Sequence, residues 1–147
     1  MDLVNKSKYD IILGSGSSRR KELLGMTGIN FSVMSIPVDE SFPDSLQGTE
    51  ISEYIVKNKS NAFNKLIKEN EIIITADTLV WFENKCLGKP KDKKEAKYML
   101  KLFAGKSHDV ITSVGFLTTS NFKILTESTT VIYKSLTDSC LLYTSPS

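Results

Sequence analysis

The feature that most limits the fold is a short apolar run that ends abruptly in a cluster of small residues. Tyr9 to Leu13 reads YDIIL, and the next seven residues, Gly14 to Arg20, read GSGSSRR. A brief apolar run that stops at glycine and serine is typical of a buried strand that ends in a loop. We expect a helix to follow from about Ser18 to Gly25. A strand that passes through a loop into a helix predicts an α/β protein.

The rest of the chain continues the alternation of strand and helix patterns. Apolar residues at helical spacing predict two further helices, one from Thr49 as N-cap to Asn70 and one from Asp92 to Phe103. Runs rich in β-branched and aromatic residues predict strands at Asn30 to Ile36, Glu71 to Thr75, Leu79 to Glu83, Lys85 to Leu87, His108 to Thr118 and Ile124 to Tyr133. The order β-α-β-α-β-β-α-β-β indicates an α/β fold with a mixed sheet.

Composition narrows the class of protein. The 147 residues are 40% hydrophobic and 24% charged, with a net charge of +2, which is ordinary for one globular domain. The chain lacks the basic excess of a protein whose main partner is nucleic acid. No apolar run has the length of a signal peptide or membrane span, so we expect a cytoplasmic protein without a membrane partner. Cys86 and Cys140 lack C-x-x-C spacing, which fits two reduced thiols.

The loop GSGSSRR has the composition of a phosphate-binding loop. Its small residues let backbone N–H groups crowd around an anion, and the helix that follows adds its partial positive end. Arg19 and Arg20 supply charge and forked donors suited to phosphate oxygens. Alone, the loop fits a solvated turn equally well. It matches neither the dinucleotide fingerprint, which needs glycine where Arg19 stands, nor a Walker loop, so it predicts a phosphate site of another kind.

Acidic and basic side chains lie at favourable places further along the chain. Asp39 and Glu40 end the second predicted strand, and Asp77 follows the buried run EIIIT, at what is predicted to be a strand end. Carboxylates so placed can hold Mg²⁺ or Mn²⁺ against phosphate oxygens or accept a proton from water. Lys59 and Lys89 are candidates to reach a phosphate. Taken singly, each acid also fits a turn or cap, and each lysine a solvated surface.

The only histidine, His108, argues against one common class of hydrolase. A Ser-His-Asp mechanism would have to use it, but the chain has no G-x-S-x-G elbow. We interpret His108 as a packing or hydrogen-bonding residue at a strand start, with a supporting role beside the site left open.

Five segments, taken in order, resemble one protein family. They are Ser15 to Leu24 (SGSSRRKELL), Val38 to Glu40 (VDE), Ala76 to Thr78 (ADT), Leu87 to Pro90 (LGKP), and the run from Ala96 through Gly105 to Thr112. Together they resemble the Maf family of nucleoside triphosphate pyrophosphatases over about residues 9 to 133.

The resemblance implies a Maf/ITPase-like α/β fold, with a mixed sheet, flanking helices and a deep substrate cleft. It implies hydrolysis of a nucleoside triphosphate to the monophosphate and pyrophosphate with Mg²⁺ or Mn²⁺. Asp77 would be the catalytic base, and Glu40 and Asp77 the metal ligands. The remaining matched residues would bind substrate, and Arg19 and Thr78 resemble the dTTP/UTP branch; this binding set is Ser15, Arg19, Arg20, Lys59, Thr78 and Lys89.

The chain also departs from the family pattern. Ser18 stands where the family usually has proline, and Lys57 lies close enough to Lys59 to be confused with it. We expect a Maf-like domain at residues 1–136 that is incomplete at its C-terminus, followed by an atypical tail at 137–147. That expectation keeps open a nucleotide-binding module without turnover. A dinucleotide-dependent oxidoreductase is a weaker alternative, and the choice between monomer and homodimer stays open.

Overall fold

The structure is a computed structural model that describes residues 9–88 and 90–134. Its elements follow the predicted order. The strands are β1 (Asp10–Leu13), β2 (Phe31–Val33), β3 (Glu71–Phe82), β4 (Lys85–Leu87), β5 (Ser107–Leu117) and β6 (Phe122–Ile132), and the helices are α1 (Ser18–Gly25), α2 (Thr49–Asn61) and α3 (Lys93–Phe103). Lys89 and the tail at 137–147 lie outside the described residues.

The strands form one mixed sheet in the order β2-β1-β3-β5-β6, with β4 also paired to β3. Strand β1 runs parallel to β2 and to β3. Strand β3 runs antiparallel to β4 and β5, and β5 runs antiparallel to β6. The prediction of an α/β fold with a mixed sheet is therefore confirmed.

Strand β3 has a gap in its pairing along one edge. On that edge β1 pairs with residues 71–74 and β4 pairs with residues 80–82. On the other edge β5 pairs continuously with residues 73–81. Within the described chain, residues 75–79 therefore lack a neighbouring strand on the β1 side, and this gap leaves room for a cavity at the sheet edge.

The prediction that Asp77 lies at a strand end is wrong. Residues 71–75 and 79–83 were expected as two strands, but β3 runs unbroken from Glu71 to Phe82. Pairing with β5 continues through the middle, where Asp77 lies opposite Ser113. What ends near Asp77 is the neighbouring strand β1, which places the carboxylate beside an open edge all the same.

Helix α2 covers one face of β3 and β5. Its apolar residues Ile51 and Ile55 are buried with Leu79 and Ile111 of those strands. Two hydroxyl pairs fix the same interface, since Ser52 Oγ lies 2.7 Å from Ser113 Oγ and Ser60 Oγ lies 2.6 Å from Thr75 Oγ1. These buried contacts hold the side chains of α2 at fixed heights above the sheet.

Gly115 lets α2 approach β5 closely. A Cβ atom added at Gly115 would lie 2.7 Å from Val56 Cγ1 and 2.9 Å from Thr75 Oγ1. Such distances are shorter than van der Waals contact, so any larger residue would force these side chains or the backbone of α2 to shift.

The helix starts match their sequence signals in part. As predicted, Asp92 caps α3 by accepting a hydrogen bond from the backbone N–H of Glu95 at 2.8 Å. For α2 the expected cap, Thr49, is instead the first helical residue, and Gly48 with a φ of 55° is the N-cap. Glycine takes that backbone conformation without the steric penalty of a side chain.

Helix α2 ends at Asn61, nine residues before the predicted end at Asn70. After it the chain turns, and the backbone N–H of Phe63 bonds to the carbonyl of Ser60. The apolar spacing continued past the helix because Phe63 and Ile67 still pack into the core from this turn. Strand β2 is also shorter than expected, since it pairs only with the short β1.

No helix in residues 9–88 and 90–134 is long and apolar enough to cross a membrane. A cytoplasmic location stays a prediction.

Candidate active site

A polar cavity of about 440 Å³ lies at the gap in the edge of β3. Six of the eight residues predicted for the site line it, together with Gly16 and Ser17; the six are Ser15, Arg20, Glu40, Lys59, Asp77 and Thr78. Arg19 is exposed and does not line this cavity. The eighth residue, Lys89, lies outside the described part of the chain.

The loop after β1 forms one wall of this cavity. Ser15 Oγ accepts a hydrogen bond from the Ser17 N–H at 3.1 Å, and Ser17 Oγ accepts one from the Arg20 N–H at 3.3 Å, which caps α1. The start of the loop is fixed to the core, because a Cβ at Gly14 would lie 2.9 Å from the ring of Phe63. These contacts restrict the conformation of the loop.

Lys59 of α2 lies between the two acids of the site. Its Nζ is 3.0 Å from Glu40 Oε1 and 3.7 Å from Asp77 Oδ1, and it donates to the carbonyl of Ala76 at 3.1 Å. Lys57, two residues earlier on the helix, is exposed. The structure therefore brings Lys59, and not Lys57, to the cavity.

Asp77 is buried but only partly paired. It is 8% exposed, and its Oδ2 has no hydrogen-bond partner among the described residues. Burial raises the pKa of Asp77 above its ordinary value, an effect that Lys59 and Arg20 oppose and Glu40 reinforces. A carboxylate of this kind is a stronger proton acceptor than an exposed one, and it has a free oxygen with which to accept the proton.

Arg20 reaches the residue after Asp77. Its Nη2 donates to Thr78 Oγ1 at 3.4 Å, and that hydroxyl lies 3.1 Å from Thr112 Oγ1 on β5. The guanidinium is thus directed into the cavity from α1, while most of its five donors stay available for an anion.

Two carboxylates of the cavity could hold a divalent cation together with ligands from outside the chain. Glu40 and Asp77 both contact one ammonium, and Asp77 keeps an unpaired oxygen. The described residues contain no group of three or more His, Cys, Asp or Glu side chains that could hold a metal. Two carboxylates suit Mg²⁺, which is usually bound by one or two carboxylates together with phosphate oxygens and water.

A second cavity, which we call the apolar chamber, adjoins the polar one. It measures about 390 Å³ and shares Glu40, Asp77 and Thr78 with the polar cavity. The rest of its wall is mainly apolar and aromatic and includes Val80, Cys86, Met99, Leu100, Phe103, His108 and Tyr133. The sequence analysis did not predict this chamber. The pattern in the sequence that relates to it is the helical spacing of apolar residues in α3.

His108 belongs to the wall of the apolar chamber. Its ring stacks on Phe103 with centroids 4.2 Å apart and meets the edge of Tyr133 at 5.3 Å. Burial lowers the pKa of His108, an effect that Asp109 opposes, so the neutral ring is favoured. This packing agrees with the interpretation of His108 as a packing residue at a strand start.

Comparisons with known proteins point to one family. The model of the family described as Maf-like protein matches residues 10–143. A dTTP/UTP pyrophosphatase of Flavobacterium johnsoniae is 43% identical over 136 residues, which are 92% of this chain and 70% of that protein. A protein of the same name from Bacteroides thetaiotaomicron is 43% identical over 142 residues, which are 96% of this chain and 74% of that protein.

Two solved structures share the fold at low sequence identity. The Staphylococcus aureus Ham1 protein superposes with a TM-score of 0.59 at 13% identity, over 82% of this chain and 70% of that one. A nucleoside-triphosphatase (dITP/XTP pyrophosphatase) of Mycobacterium abscessus gives a TM-score of 0.54 at 11% identity, over 82% and 72%. These likenesses confirm the predicted fold class.

Proposed function

This chain belongs to the Maf-like protein family, and we propose that it hydrolyses a nucleoside triphosphate to the monophosphate and pyrophosphate. The observation that carries the proposal is the position of Asp77. A buried carboxylate with one unpaired oxygen lies beside two cationic side chains, Lys59 and Arg20, in a cavity walled by the glycine-serine loop. That combination provides a base and an anion site within one cavity.

The two adjoining cavities support cleavage between the α- and β-phosphates. The polar cavity, with Arg20 and Lys59, suits the triphosphate, and the apolar chamber suits the nucleoside. Asp77 and Thr78 lie where the two cavities meet. The phosphate nearest to the nucleoside is the α-phosphate, so a nucleotide bound in this way would have its α-phosphorus, rather than its γ-phosphorus, next to Asp77.

In the proposed reaction Asp77 accepts a proton from water as the water oxygen bonds to the α-phosphorus. The bond from that phosphorus to the α-β bridging oxygen breaks, and pyrophosphate leaves with the electron pair. Arg20 and Lys59 stabilise the negative charge that shifts toward the leaving group. Mg²⁺ or Mn²⁺, held by Glu40 and Asp77, would supply further neutralisation of the phosphate oxygens.

We assign dTTP and UTP as the substrates because relatives above 40% identity bear the name dTTP/UTP pyrophosphatase. Thr78, which follows the proposed base in the sequence, also resembles the residue found in that branch.

The test is a panel of nucleoside triphosphates incubated with the purified 147-residue chain and Mg²⁺ or Mn²⁺, with and without chelator. We expect pyrophosphate release, fastest from dTTP and UTP, and its loss when the chelator is added. Release of orthophosphate as the first product would show cleavage at the γ-phosphate and contradict the proposal. Nucleotide binding without any release would favour the module without turnover.

A further inference from the structure

The ammonium of Lys59 lies among oxygens of the kind that bind hard metal ions. It has one oxygen each from Glu40, Ala76 and Asp77 at 3.0, 3.1 and 3.7 Å. The Glu40 and Ala76 oxygens lie within hydrogen-bond distance of the ammonium, and the Asp77 oxygen lies at ion-pair distance. Carboxylate and carbonyl oxygens are also the ligands that Mg²⁺ and Mn²⁺ prefer. One set of oxygens therefore suits either cation.

These two cations exclude each other at close range. A divalent ion bound by Glu40 and Asp77 would lie beside the ammonium, and two positive charges a few ångströms apart in a partly buried site repel strongly. The side chain of Lys59 is only 19% exposed, so water screens this repulsion poorly. A metal ion can therefore bind both Glu40 and Asp77 only when the Lys59 ammonium moves away.

We propose that Lys59 acts as a placeholder for the metal ion, holding Glu40 and Asp77 together in the nucleotide-free chain and yielding them when a triphosphate binds. The inference rests on the proposed function, because the triphosphate supplies the oxygens to which Lys59 moves. Lys59 lines the polar cavity together with Ser15 and Arg20. Its flexible four-carbon stem allows the ammonium to exchange carboxylate for phosphate oxygens within that cavity.

The placeholder also bears on the incomplete pairing of Asp77. Oδ2 is buried and has no partner in the described chain, while Oδ1 faces Lys59. A buried carboxylate that is only partly paired destabilises the fold, and a divalent ion that replaced Lys59 at Oδ1 would neutralise it more fully. Metal and nucleotide are therefore expected to bind with positive coupling, each strengthening the other.

The first experiment measures Mn²⁺ binding to the nucleotide-free chain by calorimetry or by the spin-resonance signal of free Mn²⁺. We expect Lys59→Met to bind Mn²⁺ about 10-fold more tightly than the wild type, within the usual range of coupling between sites. Lys57→Met is the matched control, since Lys57 lies on the same helix and is exposed. It should stay within about twofold of the wild type, because its charge is screened by solvent.

A second variant separates charge from structural damage. Lys59→Arg keeps the positive charge, so its Mn²⁺ affinity in the absence of nucleotide should stay close to that of the wild type. Equal tightening in Lys59→Met and Lys59→Arg, or no tightening in either, would overturn the placeholder. Circular dichroism spectra and Tm values are to be measured for each variant, to check that it is folded.

The second experiment adds an analogue of dTTP with a non-hydrolysable α-β bridge. In the wild type it should raise Mn²⁺ affinity by about 10-fold or more, and in Lys59→Met the rise should be much smaller. An equal rise in both proteins would contradict the exchange. The nucleotide-free measurement stands apart from turnover, so failure of pyrophosphate release and failure of the placeholder are distinguishable.

Discussion

The guanidinium of Arg20 and the hydroxyl of Thr78 meet at 3.4 Å, although 58 positions separate them in the chain. This contact connects the start of α1 with the middle of β3, next to Asp77. Arg19, the adjacent arginine, is exposed and lies outside the polar cavity. Two residues that look equivalent in the sequence therefore have different surroundings.

Arg20→Ala should raise KM for the nucleoside triphosphate by about 10- to 100-fold, because it removes a charged donor to the phosphates. Arg19→Ala, the matched control, should change KM by less than about threefold, as expected for a solvent-screened charge. Steady-state kinetics on both variants decides the point. If KM rises equally in the two variants, Arg19 must also contact the substrate, and its exposed position in this structure would not hold in the substrate complex.

Asp77→Asn should lower kcat by about 10²- to 10⁴-fold, the usual contribution of a general base, while the Kd for a non-hydrolysable analogue, measured without divalent metal, changes little. Asn keeps the shape of the side chain but cannot accept the proton. Single-turnover kinetics and calorimetry measure the two quantities. Turnover close to that of the wild type would exclude Asp77 as the base.

Asp39→Asn is the control for a nearby carboxylate. Asp39 is exposed, and a hydrogen bond from the backbone N–H of Ser41 at 2.9 Å lowers its pKa. Its kcat should stay within about twofold of the wild type, since surface carboxylates away from the reacting atoms contribute little. If Asp39→Asn lowers kcat as much as Asp77→Asn does, the assignment of Asp77 as the base would be contradicted.

Asp77→Asn should also stabilise the fold, increasingly so as the pH rises. Burial raises the pKa of Asp77 in the folded chain above its unfolded value of 3.8. Between the two values the folded state binds more protons, so wild-type stability falls as pH rises through the folded pKa. The variant avoids that loss, so its Tm in thermal unfolding should exceed the wild-type Tm at pH 8. At pH 4 the gap should shrink, and a gap that widens there instead would contradict the assignment.

Met99→Trp should test the apolar chamber as the nucleoside site. Met99 lines the chamber from α3. The bulkier indole ring of tryptophan there should raise KM for dTTP by about 10-fold through overpacking. Inhibition by inorganic tripolyphosphate, which has no nucleoside, should change by less than about twofold. Tyr98→Trp, at a position that is 61% exposed on the same helix, is the control. If Met99→Trp weakens the binding of dTTP and of tripolyphosphate equally, the nucleoside does not bind in the apolar chamber.

Gly115→Ala should lower the free energy of unfolding by about 1–3 kcal/mol, because the new methyl group would overlap Val56 and Thr75. Gly25→Ala is the matched control. A Cβ at Gly25, the last residue of α1, meets nothing within 4 Å, so alanine should leave stability unchanged or raise it by up to about 1 kcal/mol. Denaturant unfolding of both variants measures the difference.

Local signals in the sequence predicted local structure well. The bounds of α1, the Asp92 cap of α3 and the β5-β6 hairpin all follow from residues within one turn or strand of the feature. The end of α2 could not be predicted in this way, because Phe63 and Ile67 keep a helical spacing while packing from a turn. Periodicity reports which side chains face the core, and it does so whether or not the backbone is helical.

The site was harder to predict because it depends on which strands are neighbours. Sequence reasoning proposed Glu40, Asp77 and Lys59 for the site, but it placed Asp77 at a strand end and could not separate Lys59 from the nearby Lys57 by geometry. Only the phase of α2 over the sheet decides which lysine faces Glu40, and that phase is set by buried contacts such as Ser60 with Thr75. The apolar chamber brings together residues from α2, β3, β4, α3 and β5, so no single segment carries its signature.

Strands β1 and β4 leave one edge of β3 open over residues 75–79. The carbonyls of Ile74 and Ala76 point to this edge, where Gly14 N–H and Lys59 Nζ bind them, and strand alternation directs the N–H and C=O of Thr78 the same way. Mutation replaces side chains but leaves peptide groups in place. An inhibitor that hydrogen-bonds to this open edge would keep those contacts when cleft side chains change. Substitutions of cleft side chains should therefore weaken such an inhibitor less than one that binds only side chains.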